Sequence, residues 1–157
     1  MQDFIKEIYE NHKDDLDMFG FEPDECDDSV PNSYVYAWFT KGKNKRFFYI
    51  GKGKNQRYNH ILKEIETYEK NNRKYKGEKY KIIKDYIGID VEFLYNGLTE
   101  KEATILEAYQ IMKCLQDKHP LLNVILPNAI MEDDVLYEYR NSYFYEKDNA
   151  IFLEFYK

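Results

Sequence analysis

The chain has 157 residues, 17% of them aromatic, and this length and composition predict one globular domain with a substantial hydrophobic core. Its formal net charge is −6, and it contains neither an apolar run of roughly 18 residues nor a signal-peptide pattern, so we expect no membrane insertion or secretion. Cys26 and Cys114 are too far apart for a closely spaced zinc-binding pair, which predicts reduced thiols in a cytoplasmic protein.

The charge is divided unevenly along the chain. Residues 1–30 carry 11 acidic and 2 basic residues, a net charge of −9, and residues 87–157 carry 13 acidic and 6 basic residues, a net charge of −7. Residues 31–86 carry 15 basic and 5 acidic residues, a net charge of +10, and could bind a phosphate backbone. We predict an acidic helix and loop over 1–30, a core domain over 31–124 and a C-terminal extension over 125–157 packed on that domain.

The N-terminal segment has the pattern of a helix followed by an acidic loop. Its helical stripe over residues 3–18 consists of Phe4, Ile5, Ile8 and Leu16. Gly20 follows as a stop signal, and residues 22–28 are strongly acidic. The loop either keeps the protein soluble, which we favour, or lies over the basic face and competes with nucleic acid.

Two runs with a period of two then predict a β-hairpin. Residues 34–39 and 47–50 alternate as strands, and the polar link 41–46 contains a glycine and an asparagine, as hairpin turns do. In an antiparallel pair, Tyr36 and Tyr49 would be close enough to share one pocket.

A basic turn with two glycines follows the second strand. Gly51 and Gly53 would let backbone amides approach an anion, and Lys52 and Lys54 supply positive charge. The glycine spacing does not fit a nucleotide-binding P-loop.

The run from about residue 55 to 69 predicts a helix that begins with Arg57 and His60, three residues apart on one face. The N-terminal end of a helix favours phosphate. Further basic residues either extend this surface or are merely solvated: Arg73, Lys74, Lys76, Lys79, Lys81 and Lys84.

A third strand and a second helix complete the pattern. Residues 91–95 alternate as a strand, and 96–98 form a turn before Thr99. Thr99 and Glu102 make a capping box for a helix over roughly 99–117.

Glu107 lies inside this helix with Ala103 and Ile111 one turn away on either side, a setting in which a carboxylate needs a cation or a hydrogen-bond donor. Asn123 follows the helix in a Pro-Leu-Leu-Asn turn. Residues 143–145 and 151–155 suggest a C-terminal hairpin.

This ordered set resembles the GIY-YIG nuclease superfamily over about residues 33–124. Residues 49–51 read Tyr-Ile-Gly, as in the second motif of the family, whereas 34–36 read Tyr-Val-Tyr in place of Gly-Ile-Tyr. The register favours Tyr36 as the catalytic tyrosine, with Tyr34 on the same strand face as the alternative. Residues 48–57, followed by a histidine, look like one subset of the family.

The resemblance implies an α+β fold with a small three-stranded antiparallel sheet flanked by helices. It also implies metal-dependent hydrolysis of nucleic-acid phosphodiesters with one Mg²⁺ or Mn²⁺. We expect DNA as the substrate, and RNA remains the alternative. The implied catalytic residues are Tyr36, Tyr49, Arg57, His60, Glu107 and Asn123, with Glu107 as the metal ligand. The expected nucleic-acid-binding residues are Lys52, Gly53, Lys54, Arg73 and Lys74.

Each implied role suits its residue type. Glu107 could hold Mg²⁺ through one contact, and Arg57 could clamp the scissile phosphate with its forked guanidinium. Tyr36 could act as general base if cationic neighbours lower its pKa from roughly 10, and His60 is the competing base or a partner that orients Tyr36. Tyr49 would orient phosphate or water. Asn123 would hold the helix and the pocket together by hydrogen bonds.

Two other functions fit the sequence. One is a catalytically silent nucleic-acid-binding protein of the same fold, since the first motif differs and the overall charge is acidic. The other is a protein-interaction module whose acidic flanks bind a basic partner.

Overall fold

A three-stranded antiparallel sheet with helices on both faces is the framework of the protein, as seen in a computed structural model. The described residues are 1–18, 22–71, 75–117, 121–123, 153–154 and 156–157. None of the helices in this part of the chain is long and apolar enough to cross a membrane.

Four helices, three strands and two short 3₁₀ turns make up the described part of the chain. In chain order they are helix α1 (Asp3–Met18), a 3₁₀ turn (Pro23–Glu25), strands β1 (Ser33–Thr40) and β2 (Arg46–Gly53), a second 3₁₀ turn (Arg57–Asn59), helices α2 (His60–Asn71) and α3 (Tyr75–Tyr86), strand β3 (Ile89–Leu98) and helix α4 (Glu100–Gln116). The strand order is β2-β1-β3, and β1 is antiparallel to both neighbours. The expected α+β fold is confirmed.

Each face of the sheet covers its own hydrophobic core. One core lies between the sheet and helices α1 and α4, and its buried residues include Ile5, Leu16, Val35, Ala37, Ile50, Leu106 and Ile111. The other lies between the sheet and helices α2 and α3, and its buried residues include Tyr34, Tyr36, Trp38, Phe48, Ile61, Ile83 and Tyr156. The predicted N-terminal helix thus packs on the sheet, although Phe4, assigned to its buried stripe, is 44% exposed.

The hairpin of β1 and β2 contains a β-bulge that was not predicted from its sequence. Trp38 pairs with Tyr49 but the next residue, Phe39, pairs with Phe47, so Phe48 is the extra residue of a bulge. The strict alternation predicted for residues 47–50 is therefore wrong. The bulge turns Phe48 into the same core as Trp38, where its ring contacts two tyrosines.

Two predicted helix boundaries need correction. Arg57 lies in a 3₁₀ turn, and α2 begins only at His60, because the chain turns at Asn55 with a φ of 54° before it becomes helical. The predicted turn at 96–98 instead belongs to β3, with Gly97 at a φ of 64°.

The start of α4 agrees with its prediction. The Thr99 N–H donates to the Glu102 carboxylate at 3.0 Å, and the Glu102 N–H donates to the Thr99 hydroxyl at 3.2 Å, which is the expected capping box.

Helix α3 was not predicted, and it packs unusually closely on α2. A Cβ atom at Gly77 would lie 2.5 Å from the Glu64 carbonyl oxygen, so only glycine allows this helix approach. Lys79, expected on the basic surface, is only 3% exposed because α3 turns it inward.

The acidic loop packs against the start of α4. The Lys101 N–H donates to the Asp27 carbonyl at 2.9 Å, the Lys101 ammonium lies 3.3 Å from the Asp24 carboxylate, and the Thr99 hydroxyl donates to Asp28 at 2.7 Å. Gly20, the predicted stop of α1, lies outside the described residues.

Most of the predicted C-terminal hairpin also lies outside the described residues. Where the structure describes its second strand, at Leu153 and Glu154, and just beyond it at Tyr156, the chain is helical. The Lys157 N–H donates to the Leu153 carbonyl at 3.0 Å, a helical spacing that turns Tyr156 into the core against Phe48. The strand prediction is wrong for Leu153 and Glu154.

Candidate active site

Two tyrosines meet on the face of the sheet that α2 covers. Tyr36 on β1 pairs with Gly51 on β2, and its ring centroid lies 6.0 Å from that of Tyr49, so the two rings lie close together. A Cβ atom at Gly51 would lie 2.7 Å from the Tyr36 hydroxyl oxygen and 2.8 Å from the Tyr49 ring. Glycine at this position is therefore what leaves room for the two rings.

The first residue of α2 joins this pair. Nδ1 of His60 lies 3.0 Å from the Tyr36 hydroxyl, within hydrogen-bond distance, and the tautomer of the imidazole decides which group donates. The His60 ring centroid is 4.5 Å from that of Tyr49. Tyr36, Tyr49 and His60 thus form one contiguous cluster.

Tyr34 holds the turn that precedes α2. Its hydroxyl accepts the Tyr58 N–H at 3.1 Å and donates to the Asn55 carbonyl at 3.0 Å, while the Trp38 indole N–H donates to the Tyr58 carbonyl at 2.9 Å. The Tyr34 hydroxyl is thus hydrogen-bonded to the backbone of the turn, whereas the Tyr36 hydroxyl contacts His60. Of the two tyrosines of the first motif, only Tyr36 lies in the cluster with Tyr49 and His60.

Arg57 projects from this turn into solvent. Its side chain makes no hydrogen bond or ion pair with any residue that the structure describes. A Cβ atom at Gly53 would lie 3.0 Å from the Arg57 Cβ, so the glycine permits a close approach of turn and strand. The guanidinium is therefore available to a ligand.

Glu107 reaches the site from α4. Its carboxylate accepts the Lys52 N–H, and burial raises its pKa to about 7 against the opposing effect of that N–H and of the Lys52 and Arg57 charges. The Lys52 ammonium donates to the Thr104 hydroxyl at 2.6 Å, one turn before Glu107. The carboxyl therefore keeps its proton to a higher pH than an ordinary glutamate does in the free protein.

The tyrosines do not behave as the sequence led us to expect. Burial raises the pKa of Tyr36, and Tyr49 and the negative charge of Glu107 raise it further. Burial and Glu107 likewise raise the pKa of Tyr49, although the Arg57 charge opposes this. The condition for Tyr36 to act alone as general base, a pKa lowered by cationic neighbours, is therefore not met in the free protein, because burial, Tyr49 and Glu107 all raise its pKa.

Asn123 fastens the outer edge of β2. Its side-chain oxygen accepts the Ile50 N–H at 3.2 Å and its amide donates to the Ile50 carbonyl at 2.6 Å, while the Leu122 N–H donates to the Phe48 carbonyl at 2.6 Å. Because Ile50 lies between Tyr49 and Gly51, these bonds hold the strand that carries the tyrosine.

The donor set suits a metal that needs few protein ligands. The described part of the chain contains no group of three or more His, Cys, Asp or Glu side chains that could hold a metal ion. Glu107 offers a partly buried carboxylate with raised pKa, a group that gains from a cation. Mg²⁺ accepts one carboxylate with water and phosphate oxygens, so these residues fit it and do not form a zinc cage.

The expected nucleic-acid-binding residues differ in their placement. Lys52 is engaged with Thr104, and Lys54 is exposed at 4.0 Å from the Glu100 carboxylate. Arg73 and Lys74 lie outside the described residues.

One residue close to the site was not predicted from the sequence. Glu64 lies on α2 one turn after His60, and its Oε2 atom is buried with no hydrogen-bond partner in the described part of the chain. Its charge also raises the pKa of Tyr49. The four-residue spacing from His60 was the signal that could have identified it.

Comparison of the chain with protein-family models, curated proteins and solved structures finds no match.

Proposed function

We propose that this protein is a metal-dependent endonuclease that hydrolyses phosphodiester bonds of nucleic acid, with DNA rather than RNA as its substrate. The convergence of four groups from separate elements supports this most: the Tyr36–His60 pair, an exposed arginine and a partly buried glutamate. The GIY-YIG resemblance of the sequence supports the same function. A silent binding protein would have no need of a buried carboxylate beside a tyrosine–histidine pair.

Glu107 would hold the metal ion, Mg²⁺ or Mn²⁺, as its one protein ligand. A bound divalent ion would stabilise the negative charge on the leaving oxygen. The protein would contribute a carboxylate whose burial makes it gain from a cation and whose position the Lys52 N–H fixes.

Arg57 would bind the scissile phosphate. Its guanidinium can donate two parallel hydrogen bonds to phosphate oxygens, and it makes no hydrogen bond or ion pair with the described residues. Charge that develops on these oxygens during the reaction would be stabilised by the same group.

Tyr36 and His60 would remove the proton of the attacking water as a relay. As the water oxygen attacks phosphorus, its proton moves to the Tyr36 oxygen while the Tyr36 proton moves to Nδ1 of His60. The phenol then never has to ionise alone, which agrees with its raised pKa, and the 3.0 Å contact supports the transfer. Tyr49 would orient phosphate or water, and Asn123 would act as a positioning residue.

Cleavage assays with matched variants test the proposal. Supercoiled plasmid, linear duplex, single-stranded DNA and structured RNA are incubated with Mg²⁺ or Mn²⁺ and with the wild-type protein, Glu107→Gln or Arg57→Ala. We expect wild-type cleavage that needs metal, no cleavage by Glu107→Gln, and a loss of roughly 100-fold or more with Arg57→Ala.

Two exposed residues of α2 provide the controls: Glu66→Gln and Lys63→Ala should cut like the wild type. Nucleic-acid binding without cleavage would instead identify a silent binding protein. Cleavage retained by Glu107→Gln would reject the proposed site.

A further inference from the structure

An exposed aromatic surface lies beside the proposed phosphate-binding arginine. Phe93 on β3 is 41% exposed, and its ring meets those of Tyr34 and Tyr58 edge-to-face, with centroids 5.0 and 5.1 Å away. Tyr58 is half-buried, and Tyr34 lies beneath at 7% exposure. We call the Phe93 and Tyr58 rings the aromatic platform.

The platform is continuous with the proposed active site. Tyr34 also contacts the Tyr36 ring at 5.7 Å between centroids, so aromatic rings run across the sheet from its β3 edge to Tyr36. Arg57 directly precedes Tyr58 in the same 3₁₀ turn. A ligand whose phosphate binds Arg57 therefore has the platform within reach.

The charges of β3 leave this face open to an anion. Side chains alternate between the two faces of a strand, so Asp90 and Glu92 lie on the face opposite Phe93. The Glu92 carboxylate accordingly binds the Lys45 ammonium at 2.6 Å on that other face. No acidic residue of β3 between Ile89 and Phe93 shares the platform's face.

We propose that the aromatic platform stacks an unpaired nucleobase of the substrate next to the cleaved phosphate. This inference rests on the proposed function and narrows its substrate class to single strands, or to duplexes with an unpaired nucleotide at the cut. Bases inside a duplex are stacked on both faces and cannot lie against Phe93. Any of the four bases can stack, since each has a π-face.

The packing of the platform favours a base over a protein partner. Tyr34 and the backbone bonds at Tyr58 hold the rings in place before binding, so little conformational entropy is lost. Two partly exposed rings also offer far less surface area than the roughly 800 Å² that each partner buries in a stable protein interface.

Substitutions at Phe93 separate stacking from simple apolar contact. Phe93→Leu keeps an apolar side chain but removes the ring, and Phe93→Trp keeps a ring. Binding of dye-labelled single-stranded and fully paired oligonucleotides is measured by fluorescence anisotropy in metal-free buffer, where no cleavage interferes. Thermal unfolding of each variant checks the fold.

We expect Phe93→Leu to bind the single strand about 10-fold more weakly than wild type, within the range for loss of one stacked base, and the duplex equally well. An abasic site at the stacked nucleotide should remove this difference. Because Trp38 is buried, a fall in tryptophan emission when Phe93→Trp binds the single strand would report stacking directly.

The outcomes distinguish this inference from the function on which it rests. If wild type binds and cuts nucleic acid but Phe93→Leu binds single strands unchanged, or loses duplex affinity equally, the platform does not stack a base and the proposed function stands. If wild type neither binds nor cuts any substrate, both are rejected.

Discussion

Glu107 is the residue at which folding and the proposed chemistry conflict. Burial raises the pKa of its carboxyl from an ordinary 4.5 to about 7, so the fold prefers the neutral form. The stability that this preference contributes is fully present below pH 4.5 and is lost as the pH rises through 7. At pH 8 the folded protein therefore carries an unfavourable buried charge.

Replacing Glu107 by glutamine should remove this conflict. The change in pKa corresponds to roughly 3 kcal/mol, so we expect Glu107→Gln to be more stable than wild type by about that amount at pH 8 and equally stable near pH 4. Urea denaturation at both values measures the difference. Glu66→Gln, at an exposed pair with Lys70, should leave stability almost unchanged at both pH values. Equal stability of Glu107→Gln and wild type at pH 8 would refute the burial argument.

Magnesium should stabilise the protein through the same carboxylate. At ten times its Kd, a ligand of the folded state adds about 1.4 kcal/mol, which for this chain length raises Tm by about 3 to 5 °C. We expect this shift at pH 8 for wild type and Glu66→Gln but not for Glu107→Gln. It should shrink below pH 7, where the proton competes with the metal. An equal shift in all three proteins would place the ion elsewhere.

At the scale of elements, Asn123 makes the hydrogen bonds that a further strand would make at the edge of the sheet. Strand β2 is an edge of the sheet, and the two bonds from Asn123 pair the N–H and carbonyl of Ile50, which is fully buried. A buried backbone group without a partner costs about 1 to 3 kcal/mol. The position of Tyr49 therefore depends on a residue far away in the chain.

Asn123→Ala should destabilise the fold by about 2 to 4 kcal/mol, because both groups of Ile50 lose their partner. Asn123→Asp keeps the acceptor but loses the donor, and its carboxylate would face the Ile50 carbonyl, so we expect it to be less stable at pH 7 than at pH 4. Urea denaturation of both variants measures these effects. A loss below about 0.5 kcal/mol for Asn123→Ala would show that these bonds are dispensable.

The elements that sequence could predict are those set by local interactions. The hairpin strands follow from alternation, and the start of α4 follows from Thr99 and Glu102, which contact each other directly. Helix α3 was missed because its formation depends on packing against α2 at Gly77, a tertiary contact.

The candidate site also divides into features that local strand pairing predicts and features that depend on tertiary packing. Tyr36 and Tyr49 could be brought together from strand pairing alone. The bulge at Phe48 and the raised pKa of Tyr36 could not be predicted, since both depend on what the fold buries around them.

At the scale of the whole molecule, acidic and basic segments lie side by side. The acidic loop is fixed to the start of α4, where the charge of Lys54 lowers the pKa of Asp27, after the larger effect of hydrogen bonds from Ser29. Glu100 lies 4.0 Å from the same lysine. The loop thus borders the basic turn after β2, and its negative charge would oppose the phosphate backbone of the proposed substrate.

Removing one charge of this loop should therefore strengthen nucleic-acid binding. Asp27→Asn keeps the oxygen that accepts the Ser29 N–H at 2.7 Å but no longer attracts Lys54. Deleting the loop would also break its contacts with α4, so the single substitution is the cleaner test. We expect oligonucleotide affinity to rise about 2- to 5-fold at low salt, as the loss of one exposed charge interaction allows, and the gain to vanish at high salt.

Asp14→Asn, at an exposed position of α1, is the matched control and should leave affinity unchanged. A gain that persists at high salt, or that Asp14→Asn reproduces, would mean that the loop does not oppose binding through Lys54.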